Sequence, residues 1–176
     1  MTIGKFDGVH LGHRSLLRQM ADYAHTRGLE ACVVTFDRHP FEVLRPTAAP
    51  LRLSTVSEKV RLLRQAGADA VWVCPFTAEL ARLEPAEFIA LVRERWPLQE
   101  LWVGEGFALG RNRVGTTDVL RALAEEQGWR LRVLQPAEVD AEPVSSTRIR
   151  ALLSAGRAAE AERLLGRPIG AMLTAA

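Results

Sequence analysis

Short apolar runs alternate along this chain with amphipathic stretches, and this alternation limits the folds that it can adopt. The apolar runs are rich in β-branched residues and have the length of buried strands, whereas the stretches between them repeat apolar residues with a helical period. The strand-like runs cover residues 1–4, 31–36, 70–74, 100–103 and 130–134. Strands separated by helices form parallel sheets. The pattern therefore predicts an α/β fold with a parallel five-stranded sheet and helices on both of its faces.

Capping residues and glycines mark the ends of the helices. Apolar residues recur with a helical period from His13 onward, and Gly28 is a suitable end for that helix. Thr55 and Glu58 have the spacing of a capping box. Further helices are predicted over residues 53–66, 84–96, 117–127, 145–156 and 158–165. The glycine-rich stretch 104–115 is predicted to be a loop.

The composition is that of a globular domain. Hydrophobic residues make up 48% and charged residues 25% of the 176 positions, and the net charge is +2. This charge does not favour a nucleic-acid partner, and no apolar run approaches the roughly 18 residues that cross a membrane. Lys5 and Lys59 are the only lysines among the 23 basic residues. Cys32 and Cys74 lie in strand-like runs, so they are predicted to be buried thiols of a cytoplasmic protein. The sequence sets no oligomeric state.

The stretch from Ile3 to His13 carries the first chemical signal. It places His10 and His13 three residues apart, with Gly12 between them, where a predicted strand gives way to a helix. A helix N-terminus has unpaired N–H groups and a partial positive charge, so it favours phosphate. Imidazole donors add to this attraction, and glycine lets a phosphate approach the backbone. The stretch is therefore predicted to bind the phosphates of a nucleoside triphosphate.

A second signal lies near the end of the chain. Ser145 and Ser146 can cap a helix whose first N–H groups bind an anion. Ser146 or Thr147 shares a helix face with Arg150, whereas Arg148 points about 200° away from it. A plain capped amphipathic helix would have the same pattern. Because the first motif is also present, we interpret this second motif as the opposite end of one triphosphate site.

Together these stretches resemble the paired signatures of the HxGH nucleotidyltransferases, namely Gly4-x-Phe-Asp-Gly-Val-His-x-Gly-His13 and Ser145-Ser-Thr-x-Ile-Arg150. The most similar branch is the FMN adenylyltransferase (FAD synthetase) domain of the prokaryotic bifunctional riboflavin kinase/FAD synthetases. Further segments similar to that branch are 35–44, 75–79, 84–88 and 165–168. The resemblance implies a Rossmann-like fold, with the FAD synthetase domain over residues 1–168. It also implies a short tail over 169–176 and no riboflavin kinase domain within this sequence.

The resemblance implies a reaction in which the phosphate of FMN attacks the α-phosphorus of ATP, giving FAD and pyrophosphate, while Mg²⁺ bridges phosphate oxygens. The phosphate of a monoester is largely dianionic near pH 7, because its second pKa is about 6. No general base is therefore needed. Catalysis depends on positioning the two anions and on positive charge around them.

The resemblance also assigns roles to residues. The catalytic residues are His10, His13 and Arg150. The residues that bind the ATP phosphates are Gly4, Phe6, Asp7, Gly12, Ser145, Ser146 and Thr147. The residues that bind FMN are His39, Pro40, Gly104, Phe107, Gly110 and Arg113. No metal ligand within the protein is implied, and Asp7 either lies near the metal or ribose or stabilises the turn before the helix.

Within the glycine-rich stretch the chain departs from the pattern of this family. Gly106 stands where the family has an acid or amide, and Leu109 stands where it has a second aromatic residue. Two other functions stay open at this point. The chain could transfer a nucleotide to a different phosphorylated acceptor, or it could bind a nucleotide or flavin without catalysis.

Overall fold

The computed structural model describes residues 1–169 and confirms the α/β fold. Its strands are β1 (Thr2–Ile3), β2 (Cys32–Phe36), β3 (Ala70–Cys74), β4 (Glu100–Gly104), β5 (Ala108–Leu109), β6 (Gly115–Thr116), β7 (Arg130–Leu134), β8 (Glu138–Val139) and β9 (Glu142–Pro143). Its helices are α1 (Leu11–His25), α2 (Pro40–Leu44), α3 (Val56–Gln65), α4 (Pro85–Arg95), α5 (Thr117–Gln127), α6 (Ser146–Ser154) and α7 (Ala158–Leu165). Of the expected tail over 169–176, all but Ile169 lies outside the described residues.

Five of the strands form one parallel sheet in the order β3-β2-β1-β4-β7. Successive strand residues point to opposite faces, and helices cover both of them. On one face α4 and α5 pack against Val34, with Ile89 among the fully buried side chains. On the other face α1 and α3 pack against Val33, with Leu63 fully buried. Each such side chain contributes about 1.5–3 kcal/mol of hydrophobic stabilisation.

The boundaries of most predicted elements agree with the observed ones to within two residues, and α3 is the main exception. It begins at Val56 rather than at residue 53, because Thr55 is its N-cap and accepts a hydrogen bond from the Glu58 N–H at 3.0 Å. The reciprocal half of the predicted capping box is not among the observed bonds. The Glu58 carboxylate forms an ion pair with Arg167 at 3.2 Å.

Three short elements were not predicted from the sequence. The stretch 104–115 contains the hairpin of β5 and β6, and α2 lies within the segment 35–44. The β8–β9 hairpin turns through Asp140 and Ala141, whose φ angles are 59° and 60°. Such turns are recognised in sequences by glycine, which this turn lacks. Elements of two to five residues are also too short to show a periodic pattern.

The topology brings both motifs to the carboxyl edge of the sheet. From β1 the sheet extends to β2 on one side and to β4 on the other, and ligands of α/β sheets bind at such a switch point. The first motif follows β1 directly. A separate hydrophobic cluster joins α6 and α7 to Leu53 and Val144, with Ile149 and Leu165 fully buried, and it seats the second motif beside the first.

Candidate active site

The loop between β1 and α1 turns sharply and is held by packing. Phe6, Gly8 and Val9 have φ angles of 49°, 79° and 39°. A β-branched residue rarely adopts a positive φ, so Val9 is strained, and such strain is typical of functional sites. The Val9 side chain is only 1% exposed, and its N–H donates to the Phe6 carbonyl at 3.1 Å. This conformation places His10 at the start of α1.

His10 and His13 form a stacked pair at the N-terminus of α1. Their ring centroids are 3.6 Å apart, with an angle of 18° between the planes. His10 is the N-cap, and its Nδ1 accepts a hydrogen bond from the His13 N–H at 3.4 Å. Because Nδ1 is the acceptor, the proton of the neutral His10 ring lies on Nε2. His10 can therefore donate from Nε2 to an anion.

Phe6, Gly4 and Gly12 support this pair. Phe6 is 4% exposed and packs edge-on against His13, with ring centroids 5.0 Å apart. A Cβ at Gly4 would lie 2.9 Å from the Phe6 ring. A Cβ at Gly12 would lie 3.2 Å from both the His10 ring and the Val144 carbonyl. The buried Phe6 ring therefore holds His13, and the two glycines permit close packing around the histidines.

Both histidines are uncharged at neutral pH. Burial, followed by the positive charge of Arg150, lowers the pKa of His10 to about 4. Burial, followed by the neighbouring His10 and the charges of Lys5 and Lys59, holds the pKa of His13 well below its usual value. Positive charges thus surround two neutral imidazoles. A polyphosphate bound among these groups would favour the charged imidazolium form.

The lowered pKa of His10 makes the stability of the protein depend on pH. An unfolded imidazole takes up a proton near pH 6.5, whereas folded His10 does so only near pH 4. Between these values the unfolded state binds more protons, so the free energy of unfolding falls as the pH falls. For His10 we expect a loss of roughly 2 kcal/mol between pH 7 and pH 5. Urea unfolding at both pH values should show a smaller loss for His10→Asn, and equal losses would contradict this origin.

Asp7 joins the two motifs. Its backbone carbonyl accepts a hydrogen bond from Ser146 Oγ at 3.0 Å, and its carboxylate forms an ion pair with Arg150 Nη2. The carboxylate also accepts from the Leu53 N–H at 3.0 Å, and Arg150 Nε donates to the Leu51 carbonyl at 2.7 Å. The Asp7 carboxylate is thus engaged by protein donors. Its contacts favour a structural role, in which it joins three segments rather than stabilising one turn.

The second motif has the orientation that its helical spacing predicts. Ser145 is the N-cap of α6, and its Oγ accepts from the Arg148 N–H at 3.1 Å. Arg148 reaches the β8–β9 hairpin, where it donates to the Val139 carbonyl at 3.0 Å, whereas Arg150 points to Asp7. Thr147 is exposed beside them. The first turns of α1 and α6 therefore lie beside each other at one edge.

A basic pocket adjoins the first loop, at the carboxyl ends of β1 and β2. It is lined by Lys5, Asp7, Asp37, Arg38, His39, Arg52, Ser54, Val56 and Lys59. His39 is the N-cap of α2, with Pro40 in the first turn, and its Nε2 lies 3.5 Å from Lys5 Nζ. Burial, followed by the charges of Lys5 and Arg150, lowers the pKa of His39 to about 4. Of the residues expected to bind FMN, His39 lines this pocket and Pro40 follows it in the chain.

The two lysines of this pocket were not among the predicted site residues. The signal that could have found them is their rarity, since no other lysine occurs among the 23 basic residues. Lys59 extends from α3 and is 8% exposed, and its ammonium donates to the Phe36 carbonyl at 2.6 Å. Sequence reasoning placed Lys59 only within a helix.

The remaining residues expected to bind FMN divide into two groups. Gly104 ends β4, and a Cβ there would meet no atom within 4 Å, so the space beside it is open. Arg113 lies close enough to Lys5 for its charge to lower the pKa of that lysine. Arg113 Nη2 also donates to the Gly106 carbonyl at 3.1 Å. Gly104 and Arg113 thus have positions that a ligand could reach.

Phe107 and Gly110 have packing contacts instead. Phe107 is partly buried against the hydrophobic cluster of α4 and α5. Gly110 has a φ of 75°, and a Cβ there would lie 2.9 Å from the nitrogen of Pro85 at the start of α4. Leu109, which replaces an aromatic residue of the family pattern, is buried in the same cluster. Phe107, Leu109 and Gly110 thus pack against the α4 side of the sheet.

A groove of about 360 Å³ lies on the other side of the motif junction, between α1 and the β8–β9 hairpin. Its walls include Leu11 and Ser15 from α1 and Val139 and Val144 from the segment before α6. Leu11 lies within the first motif, and Val144 directly precedes the second. The groove therefore lies beside the motif junction.

The described residues also bear on metal and membrane binding. Among residues 1–169 no group of three or more His, Cys, Asp or Glu side chains is arranged to hold a metal ion. Cys32 and Cys74 are buried and free. No helix in the described part of the chain is long and apolar enough to cross a membrane.

The sequence of this chain is similar to those of bacterial enzymes, two of them from Pseudomonas fluorescens and Escherichia coli. The bifunctional riboflavin kinase/FMN adenylyltransferase of Pseudomonas fluorescens is 38% identical over 168 residues, which are 95% of this chain and 54% of that protein. The protein of the same description from Escherichia coli (strain K12) is 35% identical over 169 residues, 96% of this chain and 54% of its own length. The chain thus spans about half the length of these relatives.

A solved structure and a family profile complete the comparison. The crystal structure described as a macrolide-efflux protein from Streptococcus pneumoniae superposes with a TM-score of 0.85 and 27% identity, over 96% of this chain and 57% of that one. Its description concerns the streptococcal protein, and the agreement here is one of fold. The profile of the FAD synthetase family matches residues 1–148, which include the sheet and the first motif. The chain therefore belongs to the FAD synthetase family.

Proposed function

We propose that this chain is an FMN adenylyltransferase, which transfers AMP from ATP to FMN and forms FAD and pyrophosphate. The observation that carries the proposal is the junction of the two phosphate-binding motifs, where Ser146 Oγ donates to the Asp7 carbonyl at 3.0 Å. Because of this contact, the N-termini of α1 and α6 can bind one triphosphate. Membership of the FAD synthetase family supports FMN as the acceptor.

ATP would lie across this junction. The groove between α1 and the β8–β9 hairpin has about 360 Å³, and it offers both apolar residues, such as Leu11 and Val144, and polar residues, such as Asp22, to an adenosine group. From there the triphosphate would reach the first turns of both helices, where unpaired N–H groups favour anions. Ser145, Ser146, Thr147 and Arg150 would hold its β- and γ-phosphates.

The same residues would stabilise the transition state. Negative charge builds on the pyrophosphate as it leaves, and His10 and His13 can donate hydrogen bonds to the phosphate oxygens. Arg150 retains N–H groups beyond those that bind Asp7 and Leu51, since a guanidinium carries five donors. No proton needs to be removed from the FMN phosphate, so these groups act through position and charge.

Mg²⁺ fits this site as a companion of ATP rather than as an ion held by protein ligands. The Asp7 carboxylate is engaged by Arg150 and by backbone donors, so the motifs offer mainly N–H and O–H donors. Mg²⁺ is commonly bound through substrate phosphates and waters, and here it would neutralise part of the phosphate charge.

We place the reaction in the cytoplasm, because free buried thiols suit a reducing compartment.

Incubation of the purified chain with ATP, FMN and Mg²⁺ is expected to produce FAD and pyrophosphate in equal amounts, as measured by chromatography and a pyrophosphate assay. Riboflavin in place of FMN should give no product, because it lacks the attacking phosphate. Reaction with another phosphorylated acceptor but not with FMN would identify a different nucleotidyltransferase. Binding of ATP and FMN without any turnover would identify a binding module instead.

A further inference from the structure

The two lysines of the chain share one pocket. All other basic residues among the 23 are arginines, yet Lys5 and Lys59 both line the basic pocket beside the first loop. An ammonium differs from a guanidinium in being compact, with three donors around a single nitrogen. The presence of both lysines in this pocket indicates that its hydrogen bonds require a compact ammonium group.

Lys59 and Thr35 fix the backbone of Lys5. The Lys5 carbonyl accepts hydrogen bonds from Lys59 Nζ at 3.2 Å and from Thr35 Oγ1 at 3.1 Å. Lys59 Nζ also donates to the Phe36 carbonyl at 2.6 Å, and it thereby joins the ends of β1 and β2. Lys5 itself is an exposed residue. Its backbone is thus held by buried donors while its side chain faces the cleft.

The side chain of Lys5 has two arginines nearby and no acidic partner. Its Nζ is 3.5 Å from His39 Nε2, and no carboxylate among the described residues forms an ion pair with it. Partial burial, followed by the charges of Arg150 and Arg113, lowers the pKa of Lys5, and Asp7 opposes this shift. An ammonium in a positive cleft without an acidic partner attracts anions.

The position of Lys5 indicates which anion it binds. Lys5 lies close to His13 and Arg150, which are proposed to contact ATP, since its charge lowers the pKa of His13 and that of Arg150 lowers its own. It is also close to His39 and Arg113, which the family resemblance associates with FMN. Given the proposed function, we propose that Lys5 binds the phosphate of FMN and holds it next to the α-phosphate of ATP. Lys5 thereby reduces the repulsion between the two anions before the new P–O bond forms.

Binding of FMN and riboflavin tests this contact, because the two flavins differ only by the phosphate. Fluorescence titration should show that Lys5→Met weakens FMN binding about tenfold or more and leaves riboflavin binding unchanged. Lys5→Arg should retain most of the preference for FMN. Arg61→Met is the matched control, since it removes an equal charge from the exposed side of α3. A thermal melt of each variant checks that it folds.

The outcomes separate this proposal from the function on which it rests. If the wild-type chain makes FAD but Lys5→Met retains the preference for FMN over riboflavin, the Lys5 contact is refuted and the enzyme activity stands. An equal loss of affinity for both flavins also refutes it. If Lys5→Met loses the preference while the wild-type chain makes no FAD, the phosphate contact stands and the proposed activity fails. A wild-type chain without any preference for FMN overturns the contact.

Discussion

His10→Asn is expected to lower the rate of FAD formation by about 10²–10³-fold while α1 stays capped. Asparagine is a good N-cap residue, so its side chain can accept the bond that His10 Nδ1 accepts from the His13 N–H. What the variant lacks is the Nε2 donor that is proposed to bind the phosphates. Steady-state kinetics with ATP and FMN measure the rate, and a thermal melt measures the stability of the helix start.

His10→Ala provides the comparison that separates catalysis from capping. This variant loses both the donor and the cap, so we expect the same fall in rate together with a loss of about 1 kcal/mol in the free energy of unfolding. His25→Asn, at the other end of α1, should leave the rate unchanged. A His10→Asn protein that retains the wild-type rate would show that His10 serves only as a cap.

Arg150→Met is expected to reduce the rate by about 10²-fold and to raise the KM for ATP, since it removes a cation from the proposed β/γ-phosphate site. It also breaks the ion pair with Asp7, in which the two side chains are only 17% and 15% exposed. Loss of one partner should cost up to about 3 kcal/mol, at the lower end of the range for buried pairs, because the other charge stays partly buried. Denaturant unfolding and initial-rate kinetics on the same preparation measure both effects.

The double variant Asp7→Asn/Arg150→Met distinguishes the two effects of this change. With both charges removed, much of the stability should return, whereas the rate should stay low. Arg148→Met on the opposite side of α6 is the matched control, because it removes the same charge from a residue that contacts the β8–β9 hairpin. A double variant that recovers the wild-type rate would show that Arg150 has no role beyond neutralising Asp7.

The framework of the fold could be predicted from sequence because it depends on local patterns. The boundaries of α5, β7 and α7 match the predicted ones. Both α5 and α7 end at a glycine with a positive φ. The short elements could not be predicted in this way. The α2 helix has five residues, and its cap is His39, a residue type that is not a common N-cap.

The convergence of the two motifs was predicted from the sequence, but the contacts that join them were not. The histidine spacing and the capped second helix can be recognised within a few residues of sequence. Their contact depends on the hydrophobic cluster that seats α6 and α7 against Leu53 and Val144. The contribution of Lys59 likewise depends on the docking of α3, which brings its ammonium to two strand ends. Side-chain contacts over such separations leave no local pattern.

The contacts of Asp7 have a consequence for the order in which the protein acquires its site. Asp7 meets Ser146 and Arg150, which follow it by 139 and 143 positions. During synthesis the chain carries its histidines long before their partner residues have left the ribosome. Contacts of such long range form late, after the loop between them has closed. A growing chain therefore completes the proposed nucleotide site only when α6 and α7 dock.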